Sequence, residues 1–477
     1  MSVRPAVGVA LLVMLSPLAV DAATGGALVA DAVKQQDGAT LRALLARKAD
    51  VNVPQPDGAT ALHWAAYWDD LESARLLMRT GARVDAANDL GVTPLSIACE
   101  SGSDGMVEAL LEGHADPNIA RPTGETPLMT CARAGSVVAT KALLSRGADV
   151  NAKESWQAQV AIMWAASRGH RDVVRALIER GADVGAKSSN GFTPLLFAAR
   201  AGQVEIGRLL LAAGAKVNEA AKDGSTALVV ATVRGQTAFA EFLLEQGADP
   251  NKGPGFMPIH WLAGSWHAEI TGPSGMAAAR DEEWGVMAGL PTERKLGLIK
   301  ALLAHGADLN ARLARNPPTF GYSGARLKVS LTGATPFLLA AWDGNPIVMR
   351  TLVAAGADPS LTTREGTTPL MVAAGVGRTP LESTVTDSAT VEAVTLALEL
   401  GGDIKAVNNE GNTALHGAAR IQLTALVQIL VGKGADVNAK NARGLTPLMM
   451  AEGAGTSDNP GIVAGATGAL LRRLGGQ

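Results

Sequence analysis

Seven histidines, two cysteines and one short acidic run are the residues in this 477-residue chain that could carry chemistry. His260 and His267, with Asp281, Glu282 and Glu283, have the donor types of a metal site or an acid–base pair. Their spacing argues against it. A zinc-binding helix would carry H-E-x-x-H, whereas Arg280-Asp281-Glu282-Glu283 reads as a solvated helical turn. No G-x-S-x-G elbow, phosphate-binding glycine loop or dinucleotide fingerprint occurs, so no metal, cofactor or catalytic residue is assigned. Cys99 and Cys131 have neither a C-x-x-C-H context nor a paired zinc spacing.

The glycines are spent on turns instead, and they keep time. Thr60, Thr93 and Thr126, a related segment near 160, then Thr193 and Thr226 mark a 33-residue beat that returns at Thr335, Thr368, Thr413 and Thr446. A glycine stands two places earlier at 58, 91, 124, 191, 224, 255, 333, 366, 411 and 444, and is missing only where Ala158 stands. Such a period marks a solenoid, because one unit cannot bury its apolar face alone and must stack on its neighbours. In residues 122–152, Gly124 turns a loop through positive φ, and Thr126-Pro127 starts a helix whose packed side is Leu128, Cys131 and Ala132. After Gly135 a second helix carries Val138, Ala142, Leu143 and Leu144 and stops at Gly147, a left-handed cap. The exit phrase Ala148-Asp149-Val150-Asn151 recurs at 49–52, 248–251, 307–310 and 435–438.

This pattern resembles the ankyrin repeat and covers nearly the whole chain after its first residues. The fold class implied is an all-α repeat solenoid of helix-turn-helix units joined by β-hairpin-like loops, elongated and curved. Repeats of this kind bind through hairpin tips and through residues seven and eight places after the threonine position. Those places hold Tyr67 and Trp68, then Arg133, Arg168, Arg200 and Arg234 in four consecutive repeats, and Trp342 further on. A single-sign row draws an oppositely charged partner, so a protein with an acidic surface is the expected ligand, with the aromatic residues as anchors. The resemblance also gives the histidines bland roles. His63, His260 and His416 sit where an imidazole bonds nearby backbone, His114 and His305 flank a glycine at a helix end, and His170 follows Gly169. Cys99 and Cys131 fall at small buried places of adjacent first helices. Helix axes lie ~8 to 10 Å apart and a disulfide needs Cα atoms within ~7 Å, so two buried thiols are expected rather than a bond.

The first 22 residues stand outside the beat. Arg4 precedes an apolar run from Ala6 to Val20, and Val20-Asp21-Ala22 offers a cleavage site, so 1–22 reads as a secretory signal peptide of a bacterial periplasmic or secreted protein. The run is shorter than the ~20 residues a spanning helix needs, so no membrane insertion is expected after cleavage. A net charge of −3 gives no reason to expect nucleic acid.

The expected map is then a capping repeat at 23–53, repeats at 54–252, a repeat at 253–333 with two long insertions (264–291 and 312–331), repeats at 334–445, and a closing repeat and tail at 446–477. A shorter insertion at 378–390 reads as a surface loop. The long insertions carry Trp266, Trp284, Phe320 and Tyr322, which must pack on the repeats or meet a partner. The function implied is an exported, non-enzymatic protein-binding scaffold. The alternative is an enzyme, or an accessory subunit of a periplasmic enzyme, with its site in 264–331.

Overall fold

A computed structural model describes residues 27–264, 290–314, 329–378, 385–454 and 465–477. Among these the chain is helical, with helices in successive pairs and no strand beyond one isolated bridge between Ala220 and Thr226. It divides into two compact units, Met1–Ala148 and Asp149–Gln477.

In the first unit the first helix of each pair (Leu28–Lys34, Ala61–Trp68, Pro94–Ser101 and Pro127–Ala134) packs on the next. The second helices Leu71–Arg79, Asp104–Glu112 and Val137–Ser145 do the same. In the other unit an unbroken stack of first helices runs from Ala161–Arg168 through Pro194–Ala201, Ala227–Val233, Pro258–Ala263, Pro336–Trp342, Pro369–Ala373 and Ala414–Arg420 to Pro447–Ala451. The long separation after Ala263 does not break a pair, because Thr292–Ala304 packs back on Pro258–Ala263 and on the preceding second helix, Thr237–Glu245. Across the other long insertion, Leu313 and Ala334 meet in a backbone bond of 2.9 Å.

The repeated residues account for these elements one by one. The hydroxyls of Thr93, Thr126, Thr226, Thr335, Thr368 and Thr446 accept the third amide of their helices, and Pro94, Pro127, Pro336, Pro369 and Pro447 take the first helical place, where no donor is missed. The hairpin glycines all have positive φ, and Ala158, where the glycine is lacking, is forced to 52° as well. The exit-phrase asparagines, and Asn218 at the equivalent place of Ala215-Lys216-Val217-Asn218, tie one repeat to the next. Asn151, Asn218, Asn251 and Asn438 donate to the carbonyls of Gly181, Gly247, Gly306 and Gly475, at 2.9 to 3.2 Å. Their side-chain oxygens accept the amides of Asp183, Asp249, Asp308 and Gln477 at 2.8 Å.

The two cysteines are joined, contrary to the expectation of two free thiols. Cys99 and Cys131 form a disulfide with Cα atoms 4.6 Å apart. Axis separation was the wrong measure. Both residues lie on the facing sides of adjacent first helices, buried beside Ala98 and Ala132, and small side chains there let the backbones come well inside the axis spacing. Closing a loop over a sequence separation of 32 removes denatured-state freedom worth about 4 kcal/mol in the chain-entropy account. The double variant Cys99→Ala/Cys131→Ala should therefore lower the denaturation midpoint of the oxidised protein and abolish its sensitivity to reductant. An unchanged midpoint would show that the stack, not the bond, sets stability there.

Candidate functional site

The end of each first helix, with the hairpin that leads into it, is where the expected binding residues fall. In the first unit Trp64, Tyr67 and Trp68 stand on one side of the Ala61–Trp68 helix. Tyr67 is 57% exposed and Trp68 43% exposed. Their rings meet edge to face at 4.9 Å, and Trp64 meets Tyr67 at 5.8 Å. Lys34 lies over the Trp64 ring at 4.6 Å, and its carbonyl accepts the Trp68 indole N–H at 3.2 Å. The cluster is thus an exposed apolar platform fastened from below. Further along this unit the charges compensate one another. Arg133 pairs with Glu125 at 3.3 Å, and Arg121 with Glu100 at 2.7 Å.

The remaining three arginines belong to the other unit and differ in character. Arg168 is exposed at the end of its helix. Arg200 is half-buried with its guanidinium over the Phe197 ring at 5.3 Å. Arg234 is half-buried, and burial, then the neighbouring Arg200 charge, holds its pKa below the usual arginine value. Part of their presence is structural, since a cation in the last turn, as at Arg133, Arg168 and Arg200, offsets the helix dipole. The helices 161–168, 194–201 and 227–233 contain no acidic residue at all.

Trp342 ends its helix half-buried, and its carbonyl is gripped from a later repeat. Arg378 is buried, donates through Nε to the Trp342 carbonyl at 3.1 Å and reaches the Thr390 hydroxyl at 3.2 Å. Burial pushes its pKa down to about 10. Trp266, Trp284, Phe320 and Tyr322 lie outside the described residues, as do His267, Asp281, Glu282 and Glu283 and residues 1–22. Among the described residues no cluster of histidine, cysteine and carboxylate side chains could hold a metal, and no helix is long and apolar enough to cross a membrane.

One exposed aromatic escaped the sequence reading. Trp156 is 70% exposed on the hairpin before helix 161–168. It lies outside the seventh and eighth places, on a hairpin whose segment lacks both the glycine and the threonine of its siblings.

A family model for ankyrin repeats matches residues 29–121, 105–188, 162–253, 337–441 and 384–459. The chain belongs to the ankyrin-repeat family. It is 36% identical over 106 residues to human NF-kappa-B inhibitor alpha, covering 22% of this chain and 32% of that protein. It is 39% identical over 87 residues to Protein PhlB of Serratia liquefaciens, 18% of this chain and 38% of the relative. Protein phosphatase 1 regulatory subunit 27 of Mus musculus is 36% identical over 75 residues, 16% of this chain and 49% of the relative. The chain therefore spans less than half of the length of each of these relatives.

The histidines at the shared helix start hold neighbouring hairpins together. His63 Nδ1 accepts the Thr60 amide at 3.0 Å and Nε2 meets the Val92 carbonyl at 2.9 Å, while His416 joins Thr413 to Leu445 in the same way. His260 joins Met257 to Ala311. A protonated ring cannot accept at Nδ1. Burial lowers the pKa of all three, that of His260 to about 4 from 6.5. The folded state thus binds fewer protons than the unfolded one in this window, and stability that is full above 6.5 is lost as pH falls toward 4. For His260 the loss should be about 2 kcal/mol between about pH 7 and about pH 5. Denaturation of His260→Gln should show lower stability at neutral pH but a shallower loss on acidification. Parallel pH profiles for variant and wild type would contradict this assignment.

Proposed function

We propose that this chain is an exported, non-enzymatic scaffold that binds an acidic protein partner, with Arg168, Arg200 and Arg234 as the charged contacts in the Asp149–Gln477 unit and Tyr67 and Trp68 as an aromatic contact in the other. The observation that carries the reading is the charge asymmetry of the three first helices, which hold arginines at their ends and no acidic residue. Such a surface attracts an acidic partner and speeds encounter more than it deepens final affinity. The names of two relatives, an inhibitor of NF-kappa-B and a regulatory subunit of a phosphatase, support a role exercised on another protein. Export is supported by the apolar leader at 1–22 and by the Cys99–Cys131 disulfide, since such bonds persist in oxidising compartments.

The test is capture of the partner on the full mature chain, followed by association kinetics at low and high salt. The triple variant Arg168→Ser/Arg200→Ser/Arg234→Ser should slow association roughly tenfold at low salt and far less at high salt, by loss of steering. A rate unchanged by the triple variant at low salt would remove the arginines from the contact.

A further inference from the structure

The seventh and eighth places after the threonine are exposed where they hold Tyr67 and Trp68, and buried at the repeat led by Thr368, where they hold Gly375 and Val376. The cover comes from the same chain. Val329, at the return end of the insertion at 312–331, is buried in one apolar cluster with Met371 and Val376. It lies so close over Gly377 that a Cβ there would stand 2.9 Å from its Cγ2, and Gly377 has a φ of 89°, which also favours glycine. The hairpin itself resumes two residues later. Thr332 accepts the Arg364 amide at 2.9 Å and the Gly333 amide donates to Leu313 at 2.8 Å, the bonds that Asp57 and Gly58 make in their own hairpin. Val329 is therefore an arm outside the repeat pattern, reaching from the hairpin before Thr335 to the first helix of the following repeat. The insertion at 378–390 treats the preceding helix likewise, for Arg378 grips the Trp342 carbonyl and Val385 packs on Gly344.

We propose that Val329 is an internal ligand, seated by its arm on helix Pro369–Ala373 and the turn after it, so that this face is closed to any other occupant. The class of occupant is set by what the chain supplies, a branched aliphatic side chain on a non-helical segment. Such a cover is displaceable. Burying one valine biases the arm toward the closed arrangement by about ten- to a hundredfold, and a face open for the remaining fraction of the time binds a competitor with its affinity reduced by that fraction. A segment offering a larger apolar side chain therefore displaces the arm, which makes the insertion an autoinhibitory contact.

In the test, the full chain keeps its Cys99–Cys131 bond, and Val376→Cys reports the face to a maleimide without reductant. Val407→Cys, at a place 59% exposed, and Val394→Cys, at a fully buried place in helix Asp387–Glu399, are the open and closed references. Labelling at 376 should be slow beside 407 and should rise about tenfold or more when Val329→Gly is added, with Val329→Ala intermediate. Position 394 should stay unlabelled throughout. Labelling at 376 as fast as at 407 in the chain that keeps Val329, or a rate that Val329→Gly leaves unchanged, overturns the cover. So does labelling at 394 that rises with 376, because Val329 would then hold the repeat together rather than close its face.

Discussion

Close approach of adjacent first helices is the constraint on which the rest of this structure depends. Each repeat offers small residues to its neighbour, among them Ala65 and Ala66, Ala98 and Cys99, Cys131 and Ala132, Ala165 and Ala166, and Ala198 and Ala199, all buried. With no bulk in the seam the backbones approach closely, and at the disulfide the Cα atoms are 4.6 Å apart. Leu62, Leu95, Leu128 and Leu195 are then buried between repeats, area that no single repeat could hide. The same closeness brings the loops within hydrogen-bond reach, so that histidines and exit-phrase asparagines can bridge from one repeat to the next.

This seam also decides what is left for function. Because the packed side of each first helix is committed to its neighbours, the freedom to vary lies at the helix end and in the hairpin before it. There the chain places arginines, the Tyr67–Trp68 platform and the Trp156 loop, while the cores around them stay uniform. Repeat number and spacing are thereby separated from partner choice, which is the physical reason an ankyrin-repeat chain can be recognised readily while its ligand is not.

Helix starts, left-handed hairpin glycines and the bond of each shared histidine to nearby backbone were legible in the residues, because each depends on contacts a few places apart; the reach of those histidines to the next hairpin was not. The Cys99–Cys131 bond was not. It depends on how near two facing residues come, and a typical axis spacing conceals that. The neutralisation of Arg133 by Glu125 was also hidden, since a row of arginines counted by register says nothing of the carboxylate on the neighbouring hairpin. Trp156 was missed for a related reason. Its hairpin has one residue more than its siblings, so the places expected to face a ligand were read from a template this loop does not follow.

The central claim is that the hairpin and helix ends of the Asp149–Gln477 unit are the working surface. Hydrogen–deuterium exchange of the full chain, free and bound to its captured partner, tests this most directly. The account predicts slowed exchange across residues 154–159 and at the ends of helices 161–168, 194–201 and 227–233. Slowing confined to the second helices Arg171–Glu179 and Val204–Ala212 would contradict it.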